Sequence, residues 1–170
     1  MSSLESQAKA VIGPLVFGRG AQLGIAEQEL VATWTLKTCL VHTAMDAEND
    51  GNEQLKALYA DLYSTRKPSQ LHRIMIGAHC DPGIAYGFQF KRLLFQPPQN
   101  HHSGPAVSGS LMTLAIGHFV GQVMYFPLGI DIEPPSALTL IWPFANSFIW
   151  PTGFFDANDL TSIAALQLNP

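Results

Sequence analysis

Charge is scarce in this sequence: Asp, Glu, Lys and Arg make up 13% of its 170 residues, and the formal net charge is −4. So acidic a balance gives no general electrostatic footprint for nucleic acid, which leaves only a local basic patch to serve that purpose. Cysteine is scarcer still. Cys39 and Cys80 are the only two and have no C-x-x-C spacing, so there is no cysteine pair for a structural zinc, and two reduced thiols are expected. No charged segment followed by a short apolar run and a small-residue cleavage site opens the chain. The expected location is therefore cytoplasmic. The longest apolar run, Leu111 to Phe126, is interrupted by His118 and Gln122 and is shorter than the roughly 20 residues of a membrane helix, so no membrane partner is expected.

What the sequence does have is apolar residues, 47% of the total. At this length one domain over residues 1–170 is expected, with a core that needs no staples. A surface so poor in charge leaves room for an apolar oligomer face or a neighbouring domain. The organising stretch is Ile25 to Met45, IAEQELVATWTLKTCLVHTAM. Leu30, Trp34, Thr38, Val41 and Met45 recur at helical spacing, so this face is predicted to enter the core, widened by Val31 and Leu40. Turn-prone Asp46, Asn49, Asp50, Gly51 and Asn52 end it.

The rest of the chain divides into helices before strands. Ser2 and Glu5 have capping-box spacing, and Leu4, Ala8, Val11, Ile12 and Leu15 form a stripe predicted to stop at Gly13-Pro14. Gly18-Arg19-Gly20 is a turn without the Gly-Lys-Ser/Thr of a phosphate loop. Asp46-x-Glu48-x-Asp50-Gly51 begins like a calcium loop, but Ala57 stands where the bidentate carboxylate is needed, so it is read as an acidic linker. Leu55, Leu58 and Leu62 continue as a further helix, ended by Lys67-Pro68. From Leu71 the period becomes two: Ile74, Ile76, Ala78 and Cys80 face one way, and Arg73, Met75 and His79 the other. Tyr86, Phe88 and Phe90 begin a second strand, with a bulge expected near Arg92. The run Leu111–Phe126 admits two readings. Gly117-x-x-x-Gly121 is a helix-contact spacing, Ile116, Val120 and Val123 favour strand, and one long central strand is preferred. Trp142-Pro143 and Trp150-Pro151 flank aromatic turns over the core, and Asp156 and Asp159 open a C-terminal helix through Ile163 and Leu166.

Six short segments, MSSLE, AKAVIGPLVFG, ATWTLKT, GHFVGQV, IWPF and FIWP, resemble the region downstream of the metal-binding motifs in bacterial HNH-endonuclease-like proteins. The resemblance covers most of the chain, and Met1 to Glu5 looks like the tail of that family's Cys-Asn-x-Gly-Trp-Met-type motif. It implies a cytoplasmic bacterial protein associated with nucleic acid. The catalytic ββα-metal segment of that family has no counterpart here, so no catalytic residue is carried over. The expectation is either a start at an internal methionine, with an N-terminal nuclease domain missing, or a stand-alone accessory domain.

Candidate site residues follow. His79, Asp81, His101 and His102 could hold a divalent metal if their loops meet at one sheet edge, although His79 and Cys80 point to opposite faces. Lys37 lies near the apolar helix face, where a lysine either snorkels along Trp34 or meets an anion. With Arg73, Lys91 and Arg92 it makes up the candidate anion or nucleic-acid contacts. His118 and Gln122 share a strand face and, with Trp34, form a candidate pocket. The expected fold is α+β, with helices packed on one face of a small, mainly antiparallel sheet. The expected function is a non-catalytic accessory or recognition domain of an HNH-nuclease-like protein, without a cofactor. The alternatives are a small metal-dependent hydrolase and a protein-protein interaction module with an apolar oligomer face.

Overall fold

The computed structural model of the chain describes residues 2–45, 53–81, 86–95, 107–127, 137–144, 146–156 and 158–159. Among them are three helices, α1 (Ser2–Val16), α2 (Ile25–Met45) and α3 (Glu53–Thr65). Eight strands complete the set: β1 (Ala21–Leu23), β2 (His72–His79), β3 (Gly87–Phe95), β4 (Val107–Ile116), β5 (Phe119–Tyr125), β6 (Thr139–Trp142), β7 (Phe148–Trp150) and β8 (Phe154–Phe155). The main sheet runs β3-β4-β5-β2-β6 with antiparallel pairing, β8 pairs in parallel with the end of β2, and β1 and β7 make a separate antiparallel ribbon. The fold is α+β.

Alternation along β2 sorts the core into two parts. Ile74, Ile76 and Ala78 join α1, α2 and α3 in one apolar cluster, while Met75 joins Leu111, Ala115, Val120, Met124, Phe126, Leu138 and Phe155 in another. All three helices therefore pack on one face of the sheet, as expected from the pattern. Against the second face, the described cover comes from Ala137, Leu138 and Phe155.

The central helix has the expected bounds but presents a different face. Gln28, Val31, Ala32, Thr35, Leu36, Cys39, Leu40 and Thr43 are buried, whereas Leu30 and Trp34 are half-buried and Met45 is 76% exposed. The stripe expected through Leu30, Trp34 and Met45 is thus rotated away from the sheet. The cause lies in the threonines. Thr35 and Thr43 donate their hydroxyls to the carbonyls of Val31 and Cys39, both at 2.8 Å. With the hydroxyl satisfied inside the helix, each side chain packs as a small, nearly apolar group. Small residues let α2 lie close to the sheet: a methyl built on Gly121 of β5 would stand 2.6 Å from Cγ2 of Thr35.

Three further expectations are corrected. The run Leu111–Phe126 is neither one long strand nor a helix, because Gly117 and His118 turn the chain between β4 and β5 into a hairpin. No bulge occurs at Arg92; β3 pairs with β4 in continuous register from Gly87↔Ala115 to Phe95↔Val107. The broken alternation there reflects a solvent-facing Leu94, 70% exposed. Helix α1 continues through Pro14 to Val16. The proline forfeits one backbone bond in the last turn, but that turn carries Leu15 into the core, fully buried. Trp142 and Trp150 lie in strands β6 and β7, both buried. Asp156 caps the backbone that follows it, accepting from the amide of Asp159 at 3.0 Å, while Ile163 and Leu166 lie outside the described residues.

Candidate functional site

The basic residues singled out in the sequence do not gather in one place. Lys37 sits on α2 with its ammonium on the Glu5 carboxylate of α1. Its anion is therefore part of the same chain, and Glu5 also accepts from the Trp34 indole at 3.2 Å. The Lys37 ammonium, chiefly by its hydrogen bond, holds the Glu5 carboxyl below its ordinary range. Arg73 and Lys91 end one cross-strand row, Arg73↔Met124↔Leu111↔Lys91, on the second sheet face. The row between them is covered, since Met124 and Leu111 are buried. The Arg73 guanidinium donates to the carbonyls of Gln70 and His72, at 2.9 and 3.2 Å. Arg92 alternates with Lys91 and so projects from the opposite face of β3.

Trp34, His118 and Gln122 do not share a pocket. Trp34 packs edge-on against Phe119 on the helical side, with ring centroids 6.1 Å apart. Gln122 is buried on the other side, beside Met75, and donates to the hydroxyl of Thr113 at 3.4 Å. His118 sits in the hairpin turn and ties it to β2, its Nδ1 donating to the carbonyl of His79 at 2.7 Å while the His79 amide donates to the carbonyl of His118 at 2.8 Å. Of the candidate metal ligands, His79 directs Nδ1 at the main chain of Asp81, whose amide lies 3.1 Å away. His101 and His102 lie outside the described residues. Among the described residues, no three His, Cys, Asp or Glu side chains converge.

The structure draws attention instead to a concavity that the sequence pattern does not reveal. Ala26, Glu29, Leu30 and Thr33 follow one another at helical spacing along the outer face of α2. Leu4 and Gln7 of α1 flank that face, as do Leu62 of α3 and Arg66 just beyond it. Together they line a groove of about 660 Å³, within the range of small-molecule sites. Its floor is apolar: Leu62 is buried and Leu4 and Leu30 are half-buried. The Thr33 hydroxyl is turned back onto the carbonyl of Glu29 at 2.7 Å, so its donor does not face the groove.

The rim of the groove carries the charge. Glu29 is paired with Lys67 at 2.8 Å, which neutralises it. Arg66 stands at the end of α3 with φ of 61°, its amide donating to the Leu62 carbonyl at 2.9 Å. This left-handed position after a helix is one that glycine or asparagine usually fills, because a Cβ there is strained. The guanidinium lies 4.5 Å over the Tyr63 ring and has no carboxylate partner among the described residues. Once the Glu29–Lys67 pair is counted as neutral, Arg66 is the one rim charge left without an opposite partner among the described residues.

Pairing of α1 with α2 and of α2 with α3 was the step needed to find this groove, and neither is encoded in one local motif. The available signals were the Leu4-x-x-Gln7 and Leu62-x-x-x-Arg66 spacings, each an ordinary surface pattern taken alone. No helix among the described residues is long and apolar enough to cross a membrane. Compared with protein-family models, curated proteins and solved structures, the chain gives no match.

Proposed function

We propose that this chain is a non-catalytic recognition domain and that the groove over α2 is its ligand seat. The observation that carries the reading is the uncovered outer face of α2, flanked by α1 and α3, with an apolar floor and charged groups at the rim. The short motifs that resemble HNH-endonuclease-like proteins make such a domain the accessory part of a nuclease-like parent, and that parentage belongs to the proposal. The rival reading, nucleic-acid engagement, would have to rest on Arg73 and Lys91, which stand apart at the two ends of one covered row.

One titration separates the two. Isotope-labelled protein is exposed first to a library of small amphipathic fragments and then to a short DNA duplex, and amide shifts are mapped. The groove reading expects fragment shifts concentrated at Leu4, Gln7, Ala26, Leu30, Leu62 and Arg66. They should vanish in Ala26→Trp, where an indole fills the groove from an exposed position. Shifts at Arg73, Lys91 and Arg92 with DNA, and none in the groove with fragments, would replace it with the nucleic-acid reading.

A further inference from the structure

We infer that the groove ligand is a small amphiphile with an apolar body and one anionic group, a carboxylate or phosphate, placed against Arg66; this rests on the groove being the ligand seat. Three observations set its chemistry. The floor offers Leu4, Leu30 and Leu62 and no buried cation or carboxylate, so the body of the ligand is apolar. Glu29 is already matched by Lys67, which leaves Arg66 as the rim charge without an acidic partner among the described residues. A guanidinium offers a planar fork of donors that suits a carboxylate or phosphate.

Size argues for a small molecule over a docked helix. The lining of α2 spans Ala26 to Thr33, which is about 10 Å at 1.5 Å per residue, or two helical turns. A partner helix is about 10–12 Å across with its side chains, and over that length it would take up more than the groove's 660 Å³. A chain of about ten carbons bearing one charge is about as long as the lining when extended and far slimmer than a helix. The left-handed backbone at Arg66 is in keeping with this assignment. Glycine would relieve the strain there, but glycine could not bind the anion.

The test uses decanoate, decanol and decylamine on the intact chain, with amide shifts reporting location and titration reporting affinity. Decanoate is expected to shift the groove residues and to bind about tenfold more tightly than decanol, with decylamine weakest. Arg66→Gly should weaken decanoate about tenfold, leave decanol unchanged, and melt no lower than the parent because strain is removed. Arg66→Lys should recover part of the loss. Decyl phosphate, with the same ten-carbon chain, separates the anion sources: tighter binding than decanoate assigns a phosphate, weaker binding a carboxylate. Equal binding of decanoate and decanol in the groove would overturn the anionic assignment and leave the groove reading standing. Fragments that shift the groove while no ten-carbon chain does would likewise reject the amphiphile alone. Silence of the groove toward every probe would remove both.

Discussion

The two faces of the main sheet are built differently. On one, three helices meet Ile74, Ile76, Phe119 and Val123, and the central helix approaches at Gly121. On the other, the described cover is the stretch around Leu138 together with Phe155, and the close approach falls at Gly77, where an added methyl would lie 2.8 Å from the Ala137 carbonyl and 2.7 Å from the Phe155 ring. The two glycines are in neighbouring pairs of one ladder, Ile76↔Gly121 and Gly77↔Val120. A helix is bonded along its own length and resists local displacement. A short segment held at a few points yields more readily. The helical face should therefore be the stiffer and the more costly to disturb.

The largest effect is expected from Phe119→Ala. This ring is fully buried under Trp34, and its loss should cost about 4 kcal/mol in chemical denaturation. Met124→Ala, equally buried on the other face, should cost about 2 kcal/mol, because the cover there can settle into the space. Equal costs would erase the distinction between the faces.

Acid should act through the helical side of β2. His72 is buried at its start, against Tyr125, with Nδ1 accepting from the Ser69 amide at 3.2 Å. Burial pushes its pKa down from 6.5 to about 4. The unfolded chain therefore takes up the proton first, so stability is unaffected above pH 6.5 and falls as the pH drops from 6.5 toward 4. The full loss is about 3 kcal/mol at about 1.4 kcal/mol per unit. His72→Asn retains an acceptor near the Ser69 amide and should flatten this part of the pH profile. A profile as steep as the parent's would assign the acid sensitivity to other groups.

The glycines test the comparison directly. Gly121→Ala should cost about 3 kcal/mol, since Thr35 is fixed on α2, and Gly77→Ala about 2 kcal/mol, since Leu138 and Phe155 can shift but the Ala137 carbonyl moves only with its backbone. Denaturation midpoints in the reverse order would show that the second cover is the more rigid one.

How much of this could be read from the sequence depends on whether the deciding interaction was local. Alternation along β2, the bounds of α2 and the placement of helices on one sheet face follow from local periodicity, and all were legible. The face of α2 was not, because Thr35 and Thr43 count as polar until their hydroxyls are seen to close on their own helix. The hairpin at Gly117-His118 was hidden for a related reason. Both of its strands are buried on both sides of the sheet, so the apolar pattern runs on through a two-residue turn. The groove depends on three helices meeting, a relation that no single window contains. Lys37 was recognised as a cation near an apolar face, but its partner Glu5 lies 32 residues away.

That partnership sets the smallest expected effect and separates two roles for Lys37. The Lys37 side chain is 18% exposed but that of Glu5 is 48% exposed, so water reaches the pair from the carboxylate side, and about 0.5 kcal/mol is the expected coupling. Lys37→Met would keep most of the apolar stem while removing the charge. A double-mutant cycle of Lys37→Met with Glu5→Gln isolates the charge-dependent part. A coupling near 0.5 kcal/mol that fades in high salt fits a surface tie between α1 and α2. The Glu5 carboxyl, held low by Lys37, contributes above its unfolded pKa and loses that contribution as the pH falls through the folded value, so the coupling should also disappear in acid. Coupling of several kcal/mol that salt leaves unchanged would instead make the pair a desolvated part of the helical core, and the seam between α1 and α2 would then be the stiffest part of the stiffer face.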